Sequence, residues 1–151
     1  MTNSSSNRSE KDKIIETIND LFIYTDNRDW ENVRRCFSDK VHFDMTSMGA
    51  EKIEVLNPTQ ITDLWDSGLK SLEAIHHQAG NYKVEIIGNS AIASCYGIAF
   101  HYRKTKSGRN TRTFVGSYNF HLTKTKSKWL IDSFKFNLRF VDGNMNLEND
   151  N

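Results

Sequence analysis

A chain of 151 residues, 37% hydrophobic and 26% charged with a formal net charge of +1, has the size of one domain and enough apolar residues to bury a core. It contains no run of about 18 apolar residues, and its opening MTNSSSNRS is polar, so neither a membrane span nor a secretory signal is expected and the expected compartment is cytoplasmic. Cys36 and Cys95 stand far apart without CxxC spacing, which excludes a disulfide framework or zinc ribbon and leaves two reduced, partly buried thiols.

Residues 1–9 are expected to form a disordered tail, 10–141 a single domain and 142–151 a second polar tail. The first helix starts at Ser9, because Asp12 three residues on completes a capping box, and Ile14, Ile15, Ile18, Leu21 and Phe22 then recur at helical spacing. At about 100° per residue, Thr25 continues that stripe and Asp26 falls at its edge, able to reach inward without being engulfed. Asp29 reads as the cap of a short second helix carrying Trp30, Val33, Cys36 and Phe37. Val41–Met45 alternates enough for a short strand, and residues 46–56 show no period. A third helix follows, with Asn57 as cap, Pro58 at its first position, Gln60 closing the box, and Ile61, Leu64, Trp65, Leu69 and Leu72 as its stripe.

From Tyr82 the period switches to two. Tyr82–Ile87, Ala91–Arg103, Thr111–Lys124 and Lys128–Val141 read as strands joined by turns at Gly88-Asn89, near Ser107-Gly108 and at Lys126-Ser127. Their length implies a strongly curved antiparallel sheet wrapped around the three helices, an α+β fold. Residues 86–151 hold ten basic and four acidic residues, mostly near the hairpin tips, where charge is ordinarily solvated and guards against edge pairing. A nucleic-acid partner is therefore the weaker reading of that charge.

Face assignment is clear for some strands and open for others. Along Ala91–Arg103, Ala91, Ala93, Cys95, Gly97 and Ala99 form a small-residue parity ending at His101, while Ile92, Tyr96, Ile98, Phe100 and Tyr102 oppose them. Small residues on one face leave volume for a ligand or a closely packed helix. Along Thr111–Lys124, Phe114, Gly116, Tyr118, Phe120 and Leu122 oppose Thr113, Val115, Ser117, Asn119 and His121, and that second, polar set fits either bulk water or a pocket.

The chemical focus is His77, in Ile75-His76-His77-Gln78-Ala79-Gly80-Asn81, between the third helix and the sheet. An imidazole meeting a carboxylate such as Asp26 in an apolar cavity is a minimal proton-transfer device: the carboxylate fixes the tautomer and the apolar wall moves both pKa values. Nucleotide, P-loop, zinc-protease and serine-elbow motifs do not occur, and adjacent His76 and His77 point to opposite faces of a strand and cannot share one metal.

The order helix, helix, short strand, helix, four long strands resembles the nuclear transport factor 2-like superfamily over roughly residues 10–141, and within it the SnoaL-like and scytalone dehydratase group. Tyr24-Thr25-Asp26-Asn27-Arg28-Asp29-Trp30 is similar to that group's first-helix segment, His77-Gln78-Ala79-Gly80 to its catalytic His-x-x-Gly, and Ser117-Tyr118-Asn119-Phe120-His121 to its pocket strand. The resemblance implies a cone-shaped, cystatin-like α+β barrel in which Asp26 orients His77, His77 shuttles a proton, Ser117 and Asn119 hold the ligand, and His101 is a second pocket histidine. The tyrosines of that group fall near Thr25 and Met45, neither of which is tyrosine, leaving Tyr24, Tyr96 or Tyr118 to supply a phenol. Asp44 resembles the general base of ketosteroid isomerases, a carboxylate that abstracts a proton beside a carbonyl in an apolar site.

The leading expectation is a lyase or isomerase without metal or cofactor, acting on a small cyclic carbonyl ligand in the cone, with a homodimer through the sheet and a homotrimer as its alternative. A non-catalytic binding or dimerisation domain, and proton transfer by Asp44, are the competing readings.

Overall fold

The computed structural model describes residues 8–151. Expectations about residues 1–7 lie outside the described residues, whereas Arg8 pairs with Glu16 and Ser9 caps the first helix. Helix α1 (Glu10–Asp26) begins with the capping box formed by Ser9 and Asp12, and its buried stripe is Ile14, Ile18, Leu21, Phe22 and Thr25. Those positions repeat with the helical period, so one face is removed from water and the other remains solvated. Helix α2 (Trp30–Arg35) is capped by Asp29, and α3 (Pro58–Leu69) by a second capping box of Asn57 and Gln60. Helix α3 stops at Leu69, and the buried Leu72 lies just beyond it.

The strands are β1 (Phe37–Asp44), β2 (Glu54–Leu56), β3 (Ala74–Ile87), β4 (Ser90–Tyr102), β5 (Thr111–Thr125) and β6 (Lys128–Gly143), in one sheet of order β2-β1-β6-β5-β4-β3. Three features of the sheet depart from expectation. The β1–β6 pairing is parallel inside an otherwise antiparallel sheet, and β2 adds an edge strand within the segment expected to be irregular. The third difference places the site: β3 starts at Ala74 rather than Tyr82, so His77 lies within a strand. Gly80-Asn81 looked like a boundary, but there the register slips between Gly80 and Lys83 with Asn81 at φ +55°, a bulge that bends the strand without ending it.

One face of this curved sheet is lined by Ala93, Cys95, Tyr118, Phe120, Ile131 and Phe134, and α1 closes over it. The core includes Cys36 and Cys95, whose thiols burial pushes up to about 12. The opposite face exposes Ile92, Tyr96, Phe100 and Phe140. Among the described residues no helix is long and apolar enough to cross a membrane.

Residues 142–151, expected to be a polar tail, instead fold back on the domain. Leu147 is fully buried against Leu69, Leu72 and Ile75, and Asn144 donates to the carbonyl of Arg109 and to Asp150. Three cations of the basic hairpin are occupied here: Arg103 and Arg112 on Glu148, and Arg109 on the carbonyl of Gly143. Leu147→Ala is therefore expected to lower stability by about 2–4 kcal/mol in urea unfolding, the usual range for truncating a buried leucine. A change within about 0.5 kcal/mol, as for an unattached tail, would contradict this docking.

Candidate active site

The end of α1 is fixed in space before any chemistry is considered. After Asp26 and Asn27 the chain turns through Arg28 at φ +53°, a left-handed conformation uncommon for a non-glycine residue. The same arginine donates to the carbonyls of Leu69 and Leu72 at 3.2 and 2.6 Å, tying the last turn of α1 to the exit of α3 just ahead of β3. Asp26 is thus held beside β3.

Strand β3 lies at an edge of the sheet, so alternate backbone N–H groups along it face no neighbouring strand. Asp26 takes one of them. Its Oδ2 accepts the backbone N–H of His77 at 2.9 Å, while Oδ1 lies 2.6 Å from Nδ1 of the same residue. A carboxylate accepts, so Nδ1 donates, and in the neutral ring Nε2 is the nitrogen that holds the lone pair. The side chains of both residues are largely buried, at 14% and 17% exposure, and Phe22 stacks on the imidazole with centroids 5.3 Å apart.

The ring faces a cavity of about 210 Å³ between α1, α3 and the inner face of the sheet. Phe22, Trp65, Phe114, Phe134 and Phe136 supply most of its wall, and His77, His101 and Tyr118 bring polar atoms to it. Cavities of about 150 Å³ accept benzene, so this one suits a ligand of one or two rings. Gly97 makes room for Tyr118, since a Cβ there would lie 2.2 Å from the phenol ring. The Tyr118 hydroxyl is pushed above its ordinary range by burial first, then by Cys95 and Asp26, and remains protonated at neutral pH.

Of the ligand-holding residues expected from the sequence, His101 and Met45 line the cavity and several others do not. Ser117 and Asn119 alternate with the buried Tyr118 and Phe120, so they face outward, where Asn137 donates to both side chains. Tyr96 is also on that outer face, 51% exposed, beneath Arg139. Tyr24 lines a separate polar groove with Asp20, Asn32 and Arg35.

Asp44 pairs in register with Lys135, alternates with the core residue Phe43, and does not line the cavity. The Thr46 hydroxyl and backbone N–H donate to its Oδ1 at 2.7 and 3.0 Å and hold its carboxyl below the usual range, so it is a poor base facing away from the ligand space. At the two positions where tyrosines were expected, the Thr25 hydroxyl donates to the carbonyl of Leu21 and Met45 has no donor to offer. Tyr118 is the phenol at the cavity. Which of the three tyrosines faces inward was not legible in the sequence, because the parity of β5 alone left its two faces open. Among the described residues there is no group of three or more His, Cys, Asp or Glu able to hold a metal ion.

A model of the SnoaL-like domain family matches residues 7–135. No curated protein matches in sequence. Among solved structures, the chain is similar to the Kfla4162 protein from Kribbella flavida, with 19% identity, a TM-score of 0.86 and coverage of 92% of this chain and 96% of that one. It is similar as well to a candidate scytalone dehydratase from Novosphingobium aromaticivorans, with 12% identity, a TM-score of 0.78 and coverage of 89% and 87%. A third is hexachlorocyclohexane dehydrochlorinase LinA-type3 from Novosphingobium barchaimii, with 10% identity, a TM-score of 0.72 and coverage of 89% and 90%. At these identities the likeness shows the fold, the NTF2-like cone with a cystatin-like arrangement.

His101 provides a test of the cavity's polarity. Burial first, and then the Arg112 guanidinium, hold its pKa down to about 4 from the ordinary 6.5. Between those values the unfolded chain binds a proton that the folded chain refuses, so stability falls as pH drops from 6.5 towards 4, by at most about 3 kcal/mol from this residue. The His101→Gln variant is expected to show a flatter stability-against-pH profile than the parent over that window in chemical denaturation. Superimposable slopes would contradict the burial of a neutral imidazole.

Proposed function

The chain belongs to the SnoaL-like domain family, and on that premise we propose that it is a cofactor-free lyase or isomerase moving a proton on a small cyclic, apolar carbonyl ligand held in the cone. The observation that carries this reading is the double contact of Asp26 with His77, through the backbone N–H at 2.9 Å and Nδ1 at 2.6 Å. It leaves one imidazole lone pair, on Nε2, at the apolar cavity and sets a carboxylate behind the ring to stabilise the positive charge that appears as Nε2 takes a proton.

In the proposed step, Nε2 of His77 removes a proton from carbon beside the carbonyl, and the C–H electron pair enters the ring system as an enolate. Return of the proton at another atom isomerises the ligand, and loss of a leaving group from the neighbouring carbon completes an elimination. Dehydratase and dehydrochlorinase, the names carried by two structurally similar proteins, both denote eliminations. Walls of Phe22, Trp65 and Phe134 suit flat rings and keep water from the enolate. A positioned base of this kind contributes about 10²–10⁴-fold, or roughly 3–5 kcal/mol of barrier.

A second reading, compatible with the first, concerns assembly. Ile92, Tyr96, Phe100 and Phe140 expose apolar surface on the outer face of the sheet, and pairing of two copies through that face, with three as the alternative, would cover it.

A practical probe is 2-tetralone, a two-ring ketone, in D2O: the protein is expected to accelerate exchange of its α-protons, followed by NMR, and His77→Asn to lose about 10²–10⁴ of that acceleration. A His77→Asn protein exchanging at the parental rate would overturn the role of His77. For assembly, sedimentation velocity is expected to show a dimer or trimer that Tyr96→Asp dissociates; a monomeric parent would remove the outer-face interface.

A further inference from the structure

A largely buried arginine stands beside the second histidine of the cavity, and its contacts are one-sided in a way that fixes chemistry. Arg112 and His101 are direct cross-strand partners on β5 and β4, both inward-facing near the mouth of the cone. The guanidinium lies over Phe114, Nη1 donates to Oε2 of Glu148 at 2.9 Å, and Nη2 is shared between the Glu148 carboxylate and Nδ1 of His101, the latter at 3.3 Å. Its Nε is buried without a protein partner.

A guanidinium only donates, so Nδ1 of His101 accepts and the ring proton belongs on Nε2. That is the opposite of His77, whose Nδ1 donates to Asp26. His101 pairs with Ile75, two residues from His77 on the same face, which makes the two imidazoles diagonal neighbours within about 8 Å. One ring therefore offers a lone pair and the other an N–H to the same space. The charged and titratable groups facing His101 are Arg112, Glu148, His77 and Asp26, and with burial their balance keeps its ring neutral.

We propose that Arg112 and Glu148 are positioning residues that hold His101 as a neutral Nε2–H donor to the ligand's carbonyl oxygen, making the C-terminal segment, residues 144–151, part of the active site. This rests on the proton-transfer reading above. As Nε2 of His77 takes the proton from carbon, the C–H pair forms the enolate double bond and the carbonyl π pair moves onto oxygen, which the N–H of His101 stabilises by a hydrogen bond without giving up its proton. Glu148 is required because an arginine at the edge of an apolar cavity needs a counter-charge to stay inward. The segment brings it there through the buried Leu147 and the hydrogen bond from Arg103 to the Glu148 carbonyl.

Long-range 1H–15N correlation spectra of the full chain with 15N-labelled histidine test the assignment without any substrate, His101→Gln identifying its signals among the five histidines. The expected result is His101 protonated on Nε2 and bare on Nδ1 from pH 5 to 8, with this pattern lost in Arg112→Met and weakened in the milder Glu148→Gln. A parental His101 protonated on Nδ1, or one that titrates within that range, would overturn the proposal, as would an Arg112→Met spectrum identical to the parent.

Exchange of 2-tetralone separates the catalytic part: Glu148→Gln is expected to lower kcat about 10–100-fold with KM nearly constant, the usual size of an effect one shell from the reacting atoms. Unchanged kcat in a Glu148→Gln protein whose His101 pattern is disturbed overturns the catalytic role of the pair while leaving His77 as the base. Full exchange by His77→Asn, with His101 still locked, overturns the underlying reading instead.

Discussion

One carboxylate organises the site. Asp26 accepts two hydrogen bonds from His77, one from backbone and one from the ring, and these are needs of different kinds. The backbone bond satisfies an N–H that an edge strand would otherwise leave open at the boundary of an apolar interior, where an unpaired donor costs roughly 1–3 kcal/mol. The ring bond sets the tautomer. Because the backbone bond locates the carboxylate relative to the strand, the ring bond forms with little remaining freedom, and a contact that belongs to the fold orients the base. The Arg28 tie to the exit of α3 and the bulge at Gly80-Asn81 hold the two partners at that separation.

Around this contact the sheet supplies shape by subtraction. Alanines and Gly97 on the inner face of β4 leave the volume that Tyr118 and the cavity occupy, while the bulky residues of the same strand are turned outward. The result is a nearly apolar chamber in which the polar atoms are few and each has a distinct setting: an imidazole at His77 whose Nδ1 is engaged by Asp26, a phenol that stays protonated at Tyr118, and an imidazole at His101 that burial and Arg112 keep neutral. Low polarity strengthens each of these groups towards a ligand and makes each misplacement costly.

The helices, their caps and the edge position of Asp26 were legible because they rest on spacing within one element. What failed rests on information that spacing does not carry. Ser117 and Asn119 share one parity of β5, and a polar parity means pocket or water depending on which way the sheet curls; Tyr118 and Phe120, on the other parity, turned out to face the core. Asp44 was attractive by position, yet the Thr46 donors already engage its carboxylate and it does not line the cavity. The last residues read as a tail because Asn, Asp and Glu dominate them, and what holds them to the cone, the buried Leu147 and the Glu148–Arg112 pair among other ties, are contacts across more than 30 residues of sequence. Gly80-Asn81 hid eight residues of β3 for a related reason, since the same dipeptide serves a turn or a bulge and the partner strand decides which.

The most direct measurement of the central claim is a crystal structure of the protein with 2-naphthol, a flat two-ring phenol that mimics the enol of a bicyclic ketone. The expected result is the naphthol ring between Phe22, Trp65 and Phe134, with its hydroxyl oxygen within hydrogen-bond distance of Nε2 of His77 and the Asp26 clamp intact. Binding with the hydroxyl turned away from His77, or a ring of His77 released from Asp26 in the complex, would contradict it.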